Sequence, residues 1–297
     1  MTRRSGALLM LATLGCEDPL HPEQTIEKTR AIGARSEVTG QPERATPAPG
    51  ESAEVVVWLA APGGAPETSY ALWLCERDAV LGDVPGCSAP PLVEARRDVL
   101  DVAAPRLAFV APSESSRLLL FGVVCGAGVA SPLLQTSDWP EAMGCSDGHA
   151  GGRVSFELDM APEVDNLNPQ LTADALSLDG APWSEGSDPC GTGPSVPATG
   201  GKSRLALALR DADREVVDGV RETLSVAAFS DAGELGSTRQ FVEPTEPTSP
   251  PAVSFAWTRP KSAPAGGRVV RFWFVLRDGR GGADLAERAL CLVPAGT

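Results

Sequence analysis

The apolar residues of this chain recur at every second position. Leu205-Ala-Leu207-Ala-Leu209 shows it most plainly, with large and small side chains alternating until the polar Arg210-Asp211. Runs of the same kind occupy Val55–Leu59, Tyr70–Cys75, Leu118–Cys125, Val154–Leu158, Leu224–Phe229, Val253–Trp257, Val269–Leu276 and Ala289–Val293. A period of two sends successive side chains to opposite faces of an extended chain, so each run predicts a strand. Clusters of Pro, Gly and Asp separate the runs, and many short strands punctuated in this way predict β-sandwiches or barrels. Only Ile26–Arg35 and Pro91–Val99 tolerate a helical period.

A faint internal repeat suggests two copies of one unit. Shifting the chain by 151 residues lays Arg117, Phe121, Val124 and Gly128 over Arg268, Phe272, Val275 and Gly279. Both sets read as a long apolar strand running into a Gly-rich turn. The boundary is expected near Ala161-Pro162, dividing the body into sandwiches over 25–161 and 162–297. Near the end of the second, Val269–Leu276 leads into Arg277-Asp278-Gly279-Arg280-Gly281-Gly282. Asp-Gly suits the positive φ angles of a tight hairpin.

Composition narrows the picture. The 31 Gly and 27 Pro among 297 residues oppose a mainly helical protein, because Pro removes a helix donor and Gly costs about 1 kcal/mol per helical position. An apolar share of 42% is enough to build cores. The net charge of −14 repels phosphate backbones and argues against nucleic acid as a partner. Two His and one Tyr leave few of the usual general acid–base groups.

The first residues read as an address. Arg3 and Arg4 precede the apolar run Ala7–Leu14, which is too short to cross a bilayer core of about 30 Å as a helix, so 1–15 is expected to be a removable export signal. Its end at Gly15-Cys16 resembles the bacterial lipobox, which implies that the Cys16 sulfur is acylated and that 16–24 forms a polar tether to the membrane. The lipobox usually carries Leu three residues before the Cys; Thr13 stands there, with Leu14 next along. The alternative is an ordinary secretory signal followed by an incidental Cys. Six further cysteines remain, Cys75, Cys87, Cys125, Cys145, Cys190 and Cys291. An even number in an exported chain favours disulfides. Proximity suggests Cys75–Cys87 and Cys125–Cys145, leaving Cys190–Cys291, but the sequence alone does not choose among the pairings. No Cys-x-x-Cys occurs, which weakens a zinc reading.

The final strand-and-turn, with Asn168-Pro169, Leu178-Asp179-Gly180 and Arg210-Asp211-Ala212-Asp213, resembles immunoglobulin-like domains of the PKD and cadherin sort. The whole arrangement is similar to predicted surface lipoproteins of myxobacterial type, and a preference for Arg over Lys fits that likeness. The resemblance implies an all-β chain of two tandem immunoglobulin-like sandwiches behind a lipoprotein signal. It also implies calcium: Asp165-Asn166-Leu167-Asn168-Pro169 resembles the cadherin linker, and Asp211-Ala212-Asp213 follows a strand as that family's Asp-x-Asp does. Asp165, Asn168, Asp211 and Asp213 are the expected oxygen ligands, with Glu215 close by; the plainer reading of all of them is turn formation.

Catalytic signals are weaker. Gly144-Cys145-Ser146-Asp147-Gly148 matches the Gly-x-Ser-x-Gly string, but neither the preceding strand nor the following helix of a nucleophile elbow is there, and His149 neighbours it only in sequence. His21 lies in the tether. Phosphate-loop and Rossmann glycine patterns do not occur, while a carboxylate pair of the glycosidase kind has no motif that would reveal it. Trp58, Trp73, Trp257 and Trp273 belong in strand cores; Trp139 and Trp183 sit beside Pro in loops and are candidates for a contact surface. The expectation is a non-enzymatic outer-membrane lipoprotein serving adhesion, scaffolding or envelope assembly, with other envelope proteins or glycans as partners. The alternatives are a glycan- or peptide-binding lipoprotein that uses the loop Trp residues, and a carboxylate-dependent hydrolase.

Overall fold

The computed structural model describes residues 24–296 apart from 65, 78–86, 88–90, 114–116, 133–142, 149–150, 161–165 and 185–187. Among these the chain is all-β, with one 3-10 turn at Asp211–Asp213 and no α-helix. Every run of period two forms or overlaps a strand.

The first half supplies β1 (Arg30–Val38), β2 (Ser52–Ala60), β3 (Thr68–Glu76), β4 (Val93–Asp101) and β5 (Arg106–Val110). It continues with β6 (Arg117–Cys125), β7 (Ala130–Pro132), β8 (Met143–Cys145) and β9 (Gly152–Asp159). An antiparallel sheet ordered β1-β2-β5 faces a second ordered β4-β3-β6-β9. Val55, Val57, Leu72, Leu74, Leu107, Leu118 and Leu120 fill the space between them. The two segments that tolerate a helical period are strands β1 and β4. In β1 the alternation Ala34, Ser36, Val38 faces inward, and pairing with β2 along the strand outweighs local preference. In β4 only Val93 and Ala95 pack against the core, while Glu94, Arg96 and Asp98 point to water.

Strand β3 is buried on both faces. Its outward side chains Ala71, Trp73 and Cys75 join Leu119, Phe121, Val123 and Cys125 in a second apolar layer, where Trp73 stacks on Phe121 at 5.6 Å. Two disulfides, Cys75–Cys87 and Cys125–Cys145, hold Cys87 and Cys145 against this layer.

The second half begins with β10 (Leu176–Leu178), β11 (Ala181–Pro182), β12 (Ser195–Pro197), β13 (Lys202–Ala208), β14 (Val216–Val217) and β15 (Val220–Arg221). It ends with β16 (Leu224–Ser230), β17 (Glu234–Leu235), β18 (Arg239–Val242), β19 (Ala252–Thr258), β20 (Arg268–Arg277) and β21 (Ala283–Val293). Sheets ordered β11-β10-β13-β19-β17 and β12-β21-β20-β16-β18 enclose an aromatic core. There Trp257 meets Phe272 edge-on at 4.9 Å and Trp183 meets it at 5.2 Å. The disulfide Cys190–Cys291 ties the segment before β12 to β21, with which β12 runs parallel.

The repeat pairs two inner strands, β6 and β20, but with their faces exchanged. Leu118, Leu120 and Val124 of β6 face its core, as Val270, Phe272, Phe274 and Leu276 of β20 face theirs. These are all even positions, so an odd shift lays the outward Phe121 over the inward Phe272. The Asp278-Gly279 hairpin also differs from expectation. Gly279 and Gly281 have positive φ but Asp278 does not, and Asp278 N–H closes a wider turn onto Gly282 O at 3.2 Å. Tight turns with both φ positive form instead at Asp179-Gly180 and Asp218-Gly219.

The halves meet along an apolar seam. Trp273 and Val275 project from the outer face of β20 and pack with Ile26, Ile32, Ala60 and the half-buried Trp58 of the first half. The approach is close at Gly33, where a Cβ would lie 2.7 Å from the Trp58 ring and 3.2 Å from Val275. Gln24, assigned to the polar tether from its sequence, is buried at 5% exposure. Its carbonyl accepts from Ser230 N–H and Ile26 N–H donates to Ser230 O, so backbone pairing carries it into the seam.

Candidate functional site

Asn166-Leu167-Asn168 lies in the connection between β9 and β10 that joins the halves. Asn168 is 5% exposed. Its Nδ2 donates to Ser36 O at 2.9 Å and Pro42 O at 3.0 Å, while its Oδ1 accepts from Ala283 N–H at 3.1 Å. One amide thus staples the first half to the second. Its backbone N–H donates to Glu43 O, and Ala45 N–H donates to Asn166 O.

Of the expected calcium ligands, the described Asn168, Asp211 and Asp213 each serve other partners. Asp165 lies outside the described residues. Asn168 spends its oxygen on Ala283, and the 3-10 turn sends Asp211 and Asp213 to different partners. Asp213 accepts from Arg210 at 2.7 Å, and Arg210 also donates to Gln170 Oε1 at 2.6 Å. Asp211 accepts from the Ser249 hydroxyl and stands 3.7 Å from Arg221. Burial raises the Asp213 pKa against the pull of Arg210. Among the described residues no group of three or more His, Cys, Asp or Glu side chains could hold a metal ion.

A different set of charges occupies the junction. Asp278 directly follows β20 and is 3% exposed. Its Oδ1 accepts from Arg280 N–H at 2.8 Å and Gly282 N–H at 3.0 Å, which shapes the turn into β21. The Arg280 guanidinium pairs with both Glu215 and Glu222, and its carbonyl accepts from Asn166 Nδ2 at 3.3 Å. Burial pushes Asp278 up to about 7, with the Glu222 charge adding to the shift and the Arg280 N–H opposing it. Burial likewise raises Glu215 against the pull of Arg280. Desolvation works against the Arg280 charge, but Glu222, Glu215 and Asp278 outweigh it and hold its pKa above the ordinary value. Three acids around one guanidinium leave excess negative charge, which a proton on Asp278 relieves near neutral pH.

An acid whose pKa burial lifts to about 7 beside a second carboxylate meets the electrostatic requirement of an acid–base pair. It fails the steric one, because a carboxyl with 3% exposure offers a substrate no approach. The position of this network was visible as a turn; its burial was not, since an Asp-Gly followed by Arg reads as solvated surface.

The remaining sequence candidates resolve into structure. Ser146 Oγ accepts from Val129 N–H at 2.8 Å in the turn that follows β8, so the string does begin in a short strand, held by the Cys145 disulfide, and runs from it into a turn. Trp183, a candidate surface ring, is 1% exposed. Its Nε1 donates to Ala289 O at 3.1 Å and its ring fills the core beside Phe272 and Phe274, which removes it from any contact surface. Trp58, Trp73, Trp257 and Trp273 pack in or against apolar clusters as their strands imply. Trp139, His21, His149 and Cys16 lie outside the described residues. The chain matches no protein-family model and no curated protein.

Proposed function

We propose that this chain is an exported, non-enzymatic module: two tandem immunoglobulin-like sandwiches joined into one rigid body and held at the outer membrane by a lipid on Cys16, serving adhesion, scaffolding or envelope assembly. The observation that carries the reading is the pairing of Cys75 with Cys87, Cys125 with Cys145 and Cys190 with Cys291, which leaves the body without a free thiol and suits an oxidising compartment. The Asn168 staple and the Trp273 seam support rigidity, because a hinge would need polar, loosely packed surfaces at that place. The Arg3–Cys16 pattern supports the anchor. Fractionation of cells that express the full chain tests it. Wild type is expected with the membranes and Cys16→Ala in the soluble fraction; a Cys16→Ala protein that stays with the membranes overturns the anchor.

A further inference from the structure

The outer face of the β18-β16-β20 sheet is only partly covered by the seam. Beside the covered strip, two adjoining cavities of about 600 and 390 Å3 share Ser155, Phe156, Arg239 and Arg277. The register explains what lines them. Arg277 lies opposite Ser225, and Arg239 opposite Ala227, on the two flanks of β16. Opposed residues share a face, so both arginines rise from the same side, with the short Ser225 and Ala227 as the floor between them.

The charges in this cleft are unequal in a telling way. Its acids are occupied: Glu157 pairs with Arg77 at 2.5 Å and Asp159 with Arg117 at 3.2 Å. Arg239 and Arg277 are not; among the described residues no carboxylate pairs with either side chain. Arg277 is half-buried, and burial together with the like charge of Arg239 pulls its pKa below the usual value. Two guanidiniums on one face without a paired carboxylate repel each other, although a chain of charge −14 has acidic residues in plenty. Aromatic rings flank the pair. The Arg277 guanidinium stands 5.6 Å from the Phe156 ring centre, and Arg30 stands 5.6 Å from that of Phe229.

We infer that this cleft binds a carboxylate carried on a ring, an aromatic acid or a sugar acid, with Arg277 and Arg239 holding the carboxylate and Phe156 and Phe229 flanking the ring. A planar guanidinium fork matches a carboxylate in two-point geometry, and the combined space is that of a small-ligand site. The carboxylate supplies the charge that the described residues withhold.

Titration of the full chain with benzoate, glucuronate, inorganic phosphate and glucose, followed by calorimetry, tests this assignment. At least one ring acid is expected to bind, at least tenfold more tightly than phosphate or glucose, and the stronger of the two identifies the ring. Arg277→Gln and Arg239→Gln are each expected to weaken that binding tenfold or more, with 1 M salt acting in the same direction. Arg239 is exposed, so its variant keeps the test open even where Arg277→Gln misfolds. No binding of either acid, phosphate binding as tight as theirs, or binding unchanged in both variants overturns the inference. None of those outcomes touches the rigid-module reading, which rests on the disulfides and the seam.

Discussion

Single residues set the behaviour of the junction. Asp278 has an ordinary carboxylate pKa when unfolded and about 7 when folded. Below both values it is protonated in both states and costs nothing. As pH rises through the folded value, the folded protein must hold a buried charge that the unfolded chain carries freely, so stability falls between about pH 4 and pH 8. Asp278→Asn keeps an oxygen for Arg280 N–H and Gly282 N–H without the charge. Its gain in melting temperature over wild type is therefore expected to be larger at pH 8 than at pH 5, as thermal scans at the two pH values would show. A gap that narrows with rising pH contradicts the assignment. Asn168→Ala removes a side chain that serves both halves and strands Ser36 O, Pro42 O and Ala283 N–H. Leaving buried groups unpaired costs about 1–3 kcal/mol each before relaxation, so urea titration is expected to report a loss of a few kcal/mol.

Elements show how far the sequence could be read. Period-two runs located the strands because one face of each is buried, and burial writes itself as alternation. Strand β4 escaped: at the edge of its sheet it buries only Val93 and Ala95, too few to mark a period. Proximity suggested two of the disulfides without deciding them, and it pointed the right way because Cys87 and Cys145 pack against the outer layer of β3 and β6 beside their partners. What stayed illegible were contacts between distant segments. Asn168 reads as a linker ligand until Ser36 and Ala283 are seen on either side of it, and Trp183 reads as surface until Phe272 covers it. Removing the staples one at a time tests the element scale. The Cys190–Cys291 bridge spans 101 residues, against 12 for Cys75–Cys87. In the chain-entropy account a longer closed loop contributes more, about 4–5 kcal/mol against about 3. Replacing both members by Ala is expected to destabilise more for Cys190 and Cys291 than for Cys75 and Cys87; the reverse order in denaturant titrations contradicts the account.

At the scale of the whole molecule, the seam buries side chains of both halves in one apolar cluster and is therefore expected to make them unfold together. Trp273 is 1% exposed although it points away from the core of its own half. Trp273→Ala is expected to cost about 3–5 kcal/mol, the range for deleting a buried aromatic, and to separate the halves into two unfolding steps. Differential scanning calorimetry of the oxidised full chain tests the union most directly. The account predicts one cooperative transition, with calorimetric and van't Hoff enthalpies in agreement and a midpoint unmoved by EDTA. Two resolved transitions, or a midpoint that drops when EDTA is added, would contradict it.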